Sequence, residues 1–274
     1  PREVAAALGM GYVFANYHLV LAPGDSAERE HGEGNTLGMH GAALLTRLPV
    51  ERFWAVALPE YTDKFHALEK RLGRKRALLV ELALPDGPLL VVVVHLDPFA
   101  PPKHRAAQLR LVVDAIAKTG IERVLLGGDL NTNTYHLGSR AGLAIDVLHK
   151  LVRFGFDGTV RQYMTPERVF ERRVFAALAK AGLRTEGFTD PSAGTIHYDL
   201  NDPELRDKSL AYLPPRVLAW LERKLQPWGG CVPMRIDHFA GRGLAAVRAV
   251  TLPPARHDGV RVSDHVPIIV EFRT

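Results

Sequence analysis

The chain has 274 residues, 47% of them hydrophobic and 24% charged, which is enough apolar material to bury a full core in one large domain or two small ones. A single cysteine, Cys231, excludes an internal disulfide framework and a thiolate zinc cluster, and no apolar run approaches the roughly 20 residues of a membrane helix. The formal charge of +5 suits an anionic partner but does not choose among nucleic acid, phospholipid headgroups and inositol phosphates.

From the first residue, Pro1 to Tyr12 reads as a helix leading into a strand, with Glu3 facing solvent in the first turn, where a carboxylate suits the helix dipole. Asn35 to Pro49 reads as a glycine-rich turn into a buried strand at Ala42 to Leu45. Lys70, Arg71, Arg74, Lys75 and Arg76 form the densest basic cluster, either a solvated face or a grip on a phosphate backbone; no aromatics interleave with it to make a stacking platform. Strands follow at Leu78 to Leu84 and Leu89 to Val94, joined by the hairpin signal Asp86-Gly87. The second strand ends in His95-Leu96-Asp97, ahead of a helix from Arg105 to Ile116 that carries Gln108.

The most informative stretch is Val124 to Asn131, an apolar run closed by Gly127 and Gly128 and then by Asp129-Leu130-Asn131. Residues two apart on extended backbone point the same way, so Asp129 and Asn131 can converge on one ligand. The glycines permit a sharp turn and a close approach to the backbone. Taken alone, Gly-Asp-x-Asn suits an ordinary turn equally well, because Asp and Asn bond their own backbone. His95 alone likewise suits a strand-end histidine bonded to main chain.

Helices are expected at Ala144 to Phe154 and at Glu167 to Ala181, the latter packing on the core. Between the Gly194-Thr195-Ile196-His197 turn and Arg235-Ile236-Asp237 an insertion is expected, residues 198–233, with a helix-start signal at Asp199 to Glu204. An amphipathic helix runs from Arg216 to Leu225, with Val217, Leu218, Leu221 and Leu225 on one face. It reads as a packing helix or as a lid beside a site. Cys231 reads as a small buried or half-buried hydrophobe. Met234 to Phe239 is a short apolar unit holding Asp237, and Val262 to Val270 is another, holding Ser263-Asp264-His265 and running into a strand at Pro267 to Phe272. No linker or repeat divides the chain, so residues 1–274 are expected to form a single domain. The alternation of strands and helices suits an α/β sandwich of two packed sheets with outer helices, strand-end loops gathering at one edge.

In this order, the units around Gly38 to Leu45, His95, Gly128-Asp129-Leu130-Asn131, Arg235-Ile236-Asp237 and Ser263-Asp264-His265 resemble the endonuclease/exonuclease/phosphatase superfamily of metal-dependent phosphoesterases. The resemblance covers nearly the whole chain. It implies that Asp129 orients or activates the attacking water with Asn131 as its hydrogen-bonding neighbour, and that His95 contacts the phosphoryl oxygens. It also implies that Asp264, with Asp129, helps hold the metal, that His265 is a base or phosphate ligand oriented by Asp237, and that Asn35 lies at the substrate. The implied cofactor is magnesium, with manganese as a substitute. A hard cation with few carboxylates and several waters neutralises phosphate oxygens, and a histidine near neutral pKa moves a proton.

One departure stands out. The family pattern opens with a strand ending in asparagine and another ending in Gln-Glu, whose glutamate is a principal metal ligand, and both would precede Pro1; the chain therefore reads as lacking its N-terminal strands and that glutamate. The expected activity is magnesium-dependent hydrolysis of a phosphodiester or phosphomonoester by in-line attack of water. Rivals are a DNA or RNA nuclease of the same family and a catalytically inactive domain that binds a phosphate ligand. A zinc hydrolase is disfavoured, because the 12 histidines show no His-x-x-x-His pair on a helix. A cytoplasmic monomer acting on a phosphate ester, whether free, in nucleic acid or on a phospholipid headgroup, is the default.

Overall fold

The computed structural model describes residues 1–21, 39–66, 70–132, 140–200, 214–258 and 260–274. Helix α1 (Arg2–Leu8) leads into β1 (Gly11–Val20), with Glu3 exposed in the first helical turn as expected. Then come β2 (Met39–Thr46), β3 (Val50–Ala57), β4 (Arg71–Gly73), β5 (Arg76–Leu82) and β6 (Leu89–His95). Helix α2 (Pro102–Ala117) connects β6 to the parallel strand β7 (Val124–Asp129). Helices α3 (Arg140–Gln162) and α4 (Arg172–Lys180) precede β8 (Ile196–Asp199), and α5 (Pro215–Leu225) precedes β9 (Cys231–Met234). The chain closes with β10 (Asp237–Arg242), β11 (Ala245–Thr251), β12 (Arg256–His257), β13 (Val260–Arg261) and β14 (Ile268–Arg273).

The architecture is mixed α/β. Among the described residues the strands fall into five sheets rather than two continuous ones: five strands in the order β10-β7-β6-β5-β3, three in the order β2-β1-β4, and the pairs β11-β14, β12-β13 and β8-β9. The five-stranded sheet is the organising layer. One of its faces packs on α2 and α4 through a core containing Leu90, Val92, Leu109, Val112, Leu126 and Leu178. Its other face meets the three-stranded sheet, where Val13 and Ala15 pack against Leu78, Val80 and Leu82. With both faces covered, β5, β6 and β7 read as continuous apolar runs rather than alternating ones.

Several sequence boundaries move for identifiable reasons. The helix expected from Glu167 begins only at Arg172, because Glu171 is drawn into an ion pair with Arg105 inside the protein. The helix expected to end at Phe154 continues to Gln162 across a break at Gly155 (φ 66°, ψ −177°). The unit Met234 to Phe239 splits into β9 and β10, the main-chain N–H of Arg235 turning to Tyr163 O and that of Ile236 to Thr195 Oγ1. Within residues 198–233, α5 buries Leu218 and Leu225 in a second core with Val160, Tyr163, Leu200 and Val232. Val217 leaves the expected apolar face and is exposed, while Trp220 stands edge-on to Phe156 at 5.7 Å. Strands β8 and β9 pair antiparallel on either side of α5. Asn35 and the helix-start signal from Asn201 to Glu204 lie outside the described residues.

Candidate active site

Three neighbouring strands deliver polar side chains to one level of the five-stranded sheet. In the parallel pair β6-β7, His95 is in register with Asp129; in the antiparallel pair β7-β10, Asp129 is in register with Asp237. Strands β6 and β7 are apolar or glycine up to their last residue and β10 opens on Asp237, so burial of the sheet leaves these polar groups at its edge. Gly128 is required just before the carboxylate: its φ is 137°, and a Cβ there would stand 2.0 Å from Val94 O.

The carboxylate of Asp129 is fixed by Asn131. Its Oδ1 accepts from Asn131 N at 2.7 Å and its Oδ2 from Asn131 Nδ2 at 2.8 Å, an Asx-type turn that places Asn131 in the left-handed region (φ 49°). Asn131 is 4% exposed and also donates to Leu96 O at 2.9 Å. The turn that the sequence suggested is thus present, and it fixes the carboxylate. His95 Nε2 lies 3.5 Å from Asp129 Oδ2, and its ring meets Tyr17 edge-on at 6.3 Å between centroids.

His265 arrives from the loop before β14. Its Nδ1 donates to Asp237 Oδ2 at 2.8 Å, fixing the ring. Thr195 ties this loop to β10: Val266 N donates to Thr195 O at 2.9 Å, while Ile236 N and Asp237 N both donate to Thr195 Oγ1 at 3.0 Å. In the sequence Thr195 stands out only as part of a turn. Its one signal was the adjacency of a hydroxyl to the expected insertion boundary.

Asp129, Asp237 and His265 each offer one ligand atom, and these atoms lie within 4.8 Å of one another. Asp264 stands outside that group, exposed, with its main-chain oxygen accepting from Arg261 Nη2 at 2.6 Å. Burial and the neighbouring Asp237 raise the Asp129 carboxyl well above the usual carboxylate range, against the opposing pull of His265, the Asn131 N–H and Lys75. Burial alone would lower the His265 imidazole, but the hydrogen bond and charge of Asp237, with Asp129 and Asp264, raise it to about 9. His95 is held well below its ordinary value by its surroundings in the cleft and by the charges of Lys75 and His265. Two carboxylates crowded at a cleft, one of them reluctant to ionise, are a donor set that a hard divalent cation would satisfy. A protonated His265 supplies positive charge to the same group when no cation does.

Lys75 corrects the reading of the basic cluster. Lys70 and Arg74 are exposed, but Lys75, at 7% exposure, turns inward, and Nζ donates to Leu96 O at 2.9 Å. Burial lowers its pKa, the charges of Asp129 and Asp97 only partly restoring it. Asp97 itself is structural, its carboxylate accepting from Tyr61 N and Phe99 N. Arg105 and Gln108 are also structural: Arg105 pairs with Glu171, and Gln108 bridges Asp97 N and Pro59 O. Beneath the site His238 is fully buried, its Nε2 bonded to Thr132 Oγ1 at 3.0 Å, and burial pushes its pKa down to about 3.

A model of the Endonuclease/Exonuclease/phosphatase family matches residues 2–265. No curated protein matches the chain. Among solved structures, the chain is similar to the 3' phosphatase NExo of Neisseria bound to a product DNA hairpin, at 14% identity and TM-score 0.53, over 100% of this chain and 83% of that one. It is similar to TDP2 of D. rerio complexed with single-strand DNA product, at 15% identity and TM-score 0.50, covering 100% and 90%. A third likeness is to an endonuclease/exonuclease/phosphatase family protein of Leptotrichia buccalis C-1013-b, at 12% identity and TM-score 0.50, covering 97% and 72%. At these identities the likeness is one of fold. Among the described residues, no helix is long and apolar enough to cross a membrane.

Proposed function

The chain belongs to the endonuclease/exonuclease/phosphatase family, and on that footing we propose that it is a magnesium-dependent phosphoesterase, hydrolysing a phosphodiester or phosphomonoester by in-line attack of water. The observation that carries this reading is the alignment of His95, Asp129 and Asp237 at one level of three adjacent strands, with His265 hydrogen-bonded to Asp237. In the same reading, the three-stranded sheet and the β11-β14 pair are pieces of one second layer, the two-sheet sandwich expected from sequence.

Each residue then has a task that its surroundings permit. Asp129, with its carboxylate aimed by Asn131, accepts a proton from the attacking water. His95, kept neutral, donates a hydrogen bond to a phosphoryl oxygen without competing for a proton. His265, held in orientation by Asp237, presents Nε2 to the phosphate as a cation or as an acid for the leaving oxygen. Asp129, with the Asp237 carboxylate beside it, would hold the magnesium, which when bound would neutralise phosphate oxygens and lower the pKa of water. Asp264, adjacent to His265, is the further carboxylate at hand.

A nuclease of the same chemistry is the second reading, favoured by the formal charge of +5 and by exposed Lys70 and Arg74. DNA or RNA affinity that falls steeply with salt would select it. The test of the main reading is hydrolysis of an activated phosphodiester with and without magnesium, by the wild type and by Asp129→Ala in parallel. Magnesium-dependent turnover that the substitution removes is expected. A folded wild-type sample without turnover overturns it in favour of a phosphate-binding domain.

A further inference from the structure

Lys75 is a buried ammonium that the chemistry above does not use. It leaves the exposed basic run at the start of β5 and turns into the protein, where Leu96 O is its hydrogen-bond acceptor. Among the described residues it forms no ion pair, and two of its three N–H donors have no acceptor. A buried cation in that condition is costly, because desolvation of an ammonium is offset only by good partners. Its location explains what the partner is. Leu96 O, which holds Lys75 Nζ at 2.9 Å, also holds Asn131 Nδ2 at 2.9 Å, and that same Nδ2 lies 2.8 Å from Asp129 Oδ2. Leu96 directly follows His95. The ammonium therefore stands beneath the candidate site, three hydrogen bonds from the Asp129 carboxylate by way of Leu96 O and Asn131 Nδ2, held in place through one donor with two to spare.

We propose that Lys75 is a substrate-contacting residue whose two spare donors hold a non-bridging oxygen of the phosphoryl group. The substrate class rests on the phosphoesterase reading above; the anion site itself does not need turnover to be tested. Lysine suits the position as a compact point charge on a long apolar stem, which burial of the residue accommodates. A solely structural role would make the Leu96 hydrogen bond the reason for the residue, and removal would then cost stability and leave phosphate binding unchanged.

The experiment is binding of inorganic phosphate, by calorimetry in the presence of magnesium, to the wild type, Lys75→Met and Lys75→Gln, together with kcat and KM on an activated phosphodiester and urea unfolding. Lys75→Met removes charge and donors at similar volume. Lys75→Gln retains a donor for Leu96 O and guards against failure of the first variant to fold. Both variants are expected to weaken phosphate binding about 10- to 100-fold, the loss of a charge-assisted hydrogen bond, and to lower kcat/KM by at least as much. Lys75→Met should unfold at a urea midpoint equal to or above that of the wild type, since a neutral side chain replaces a buried charge whose desolvation the nearby carboxylates only partly offset. Wild-type phosphate affinity in both variants overturns the assignment while leaving the phosphoesterase reading, which stands on Asp129 and His265, intact. Phosphate binding lost with Lys75 in a protein that hydrolyses no phosphate ester would keep the anion site and remove the phosphoesterase reading.

Discussion

Thr195→Val should separate the clamp that holds the site from the groups that do chemistry. Valine has nearly the shape of threonine, so packing at this buried position is conserved while the acceptor disappears. Thr195 Oγ1 accepts from both Ile236 N and Asp237 N at 3.0 Å. Leaving a buried donor unsatisfied costs about 1–3 kcal/mol, so the pair together costs roughly 2–5 kcal/mol after local relaxation. For a chain of this size that corresponds to a fall in Tm of about 5–15 °C. Activity should fall as well, by about tenfold in kcat, because freeing Asp237 N loosens the carboxylate that orients His265. Thr195→Ser keeps the oxygen and should recover most of both losses. Urea unfolding at pH 7 and magnesium-dependent hydrolysis of an activated phosphodiester are the assays. A Thr195→Val protein within about 0.5 kcal/mol of wild type, the scatter of a neutral substitution, would refute the assignment of the hydroxyl as a two-donor clamp.

His265→Ala should lower kcat by about 10²- to 10⁴-fold, the range for loss of a positioned proton-transfer group, with near-UV circular dichroism unchanged. Asp237→Asn should cost less, since it leaves the imidazole in place, and in the metal-free protein it should move the His265 pKa down from about 9, an NMR titration that wild-type behaviour in the variant would contradict. His238 governs acid stability. Its folded pKa is depressed to about 3, so below the unfolded value the denatured chain takes up a proton that the native one refuses, and stability present above pH 6.5 is lost as pH falls. At about 1.4 kcal/mol per pH unit, roughly 2 kcal/mol disappears between pH 6.5 and pH 5 through this group. In His238→Gln that component is absent, so the stability gap between the two proteins should narrow by roughly 2 kcal/mol over that interval in urea titrations; a constant gap would show that His238 is not buried neutral.

The sequence carried the pieces of the candidate site because each is a local pattern. An apolar strand that stops at a polar residue announces itself over six or seven positions, which is why His95, Asp129 and Asn131, Asp237 and His265 could all be named from composition, spacing and family resemblance. Hairpin chemistry at Asp86-Gly87 likewise fixed the β5-β6 register locally. What local pattern could not supply was which pieces stand side by side. His95 and Asp129 are in register across a parallel pair, and Asp237 meets Asp129 across an antiparallel one, distances along the chain that no periodicity spans.

Burial was the second thing only tertiary structure decided. Lys75 sits in a run of cations that reads as a solvated face, yet it turns inward because β5 begins there and its neighbours Ala77 and Leu78 must enter the core. Glu171 reads as mid-helix, yet it becomes the residue before a helix because Arg105, 66 positions earlier, needs its carboxylate in a dry interior. Thr195 reads as a turn residue, yet it accepts two main-chain donors from β10 and its approach. Chain-local physics specifies propensity and the end of each strand; the partners of a buried polar group are set by whichever elements the packed sheet brings within hydrogen-bond distance of it.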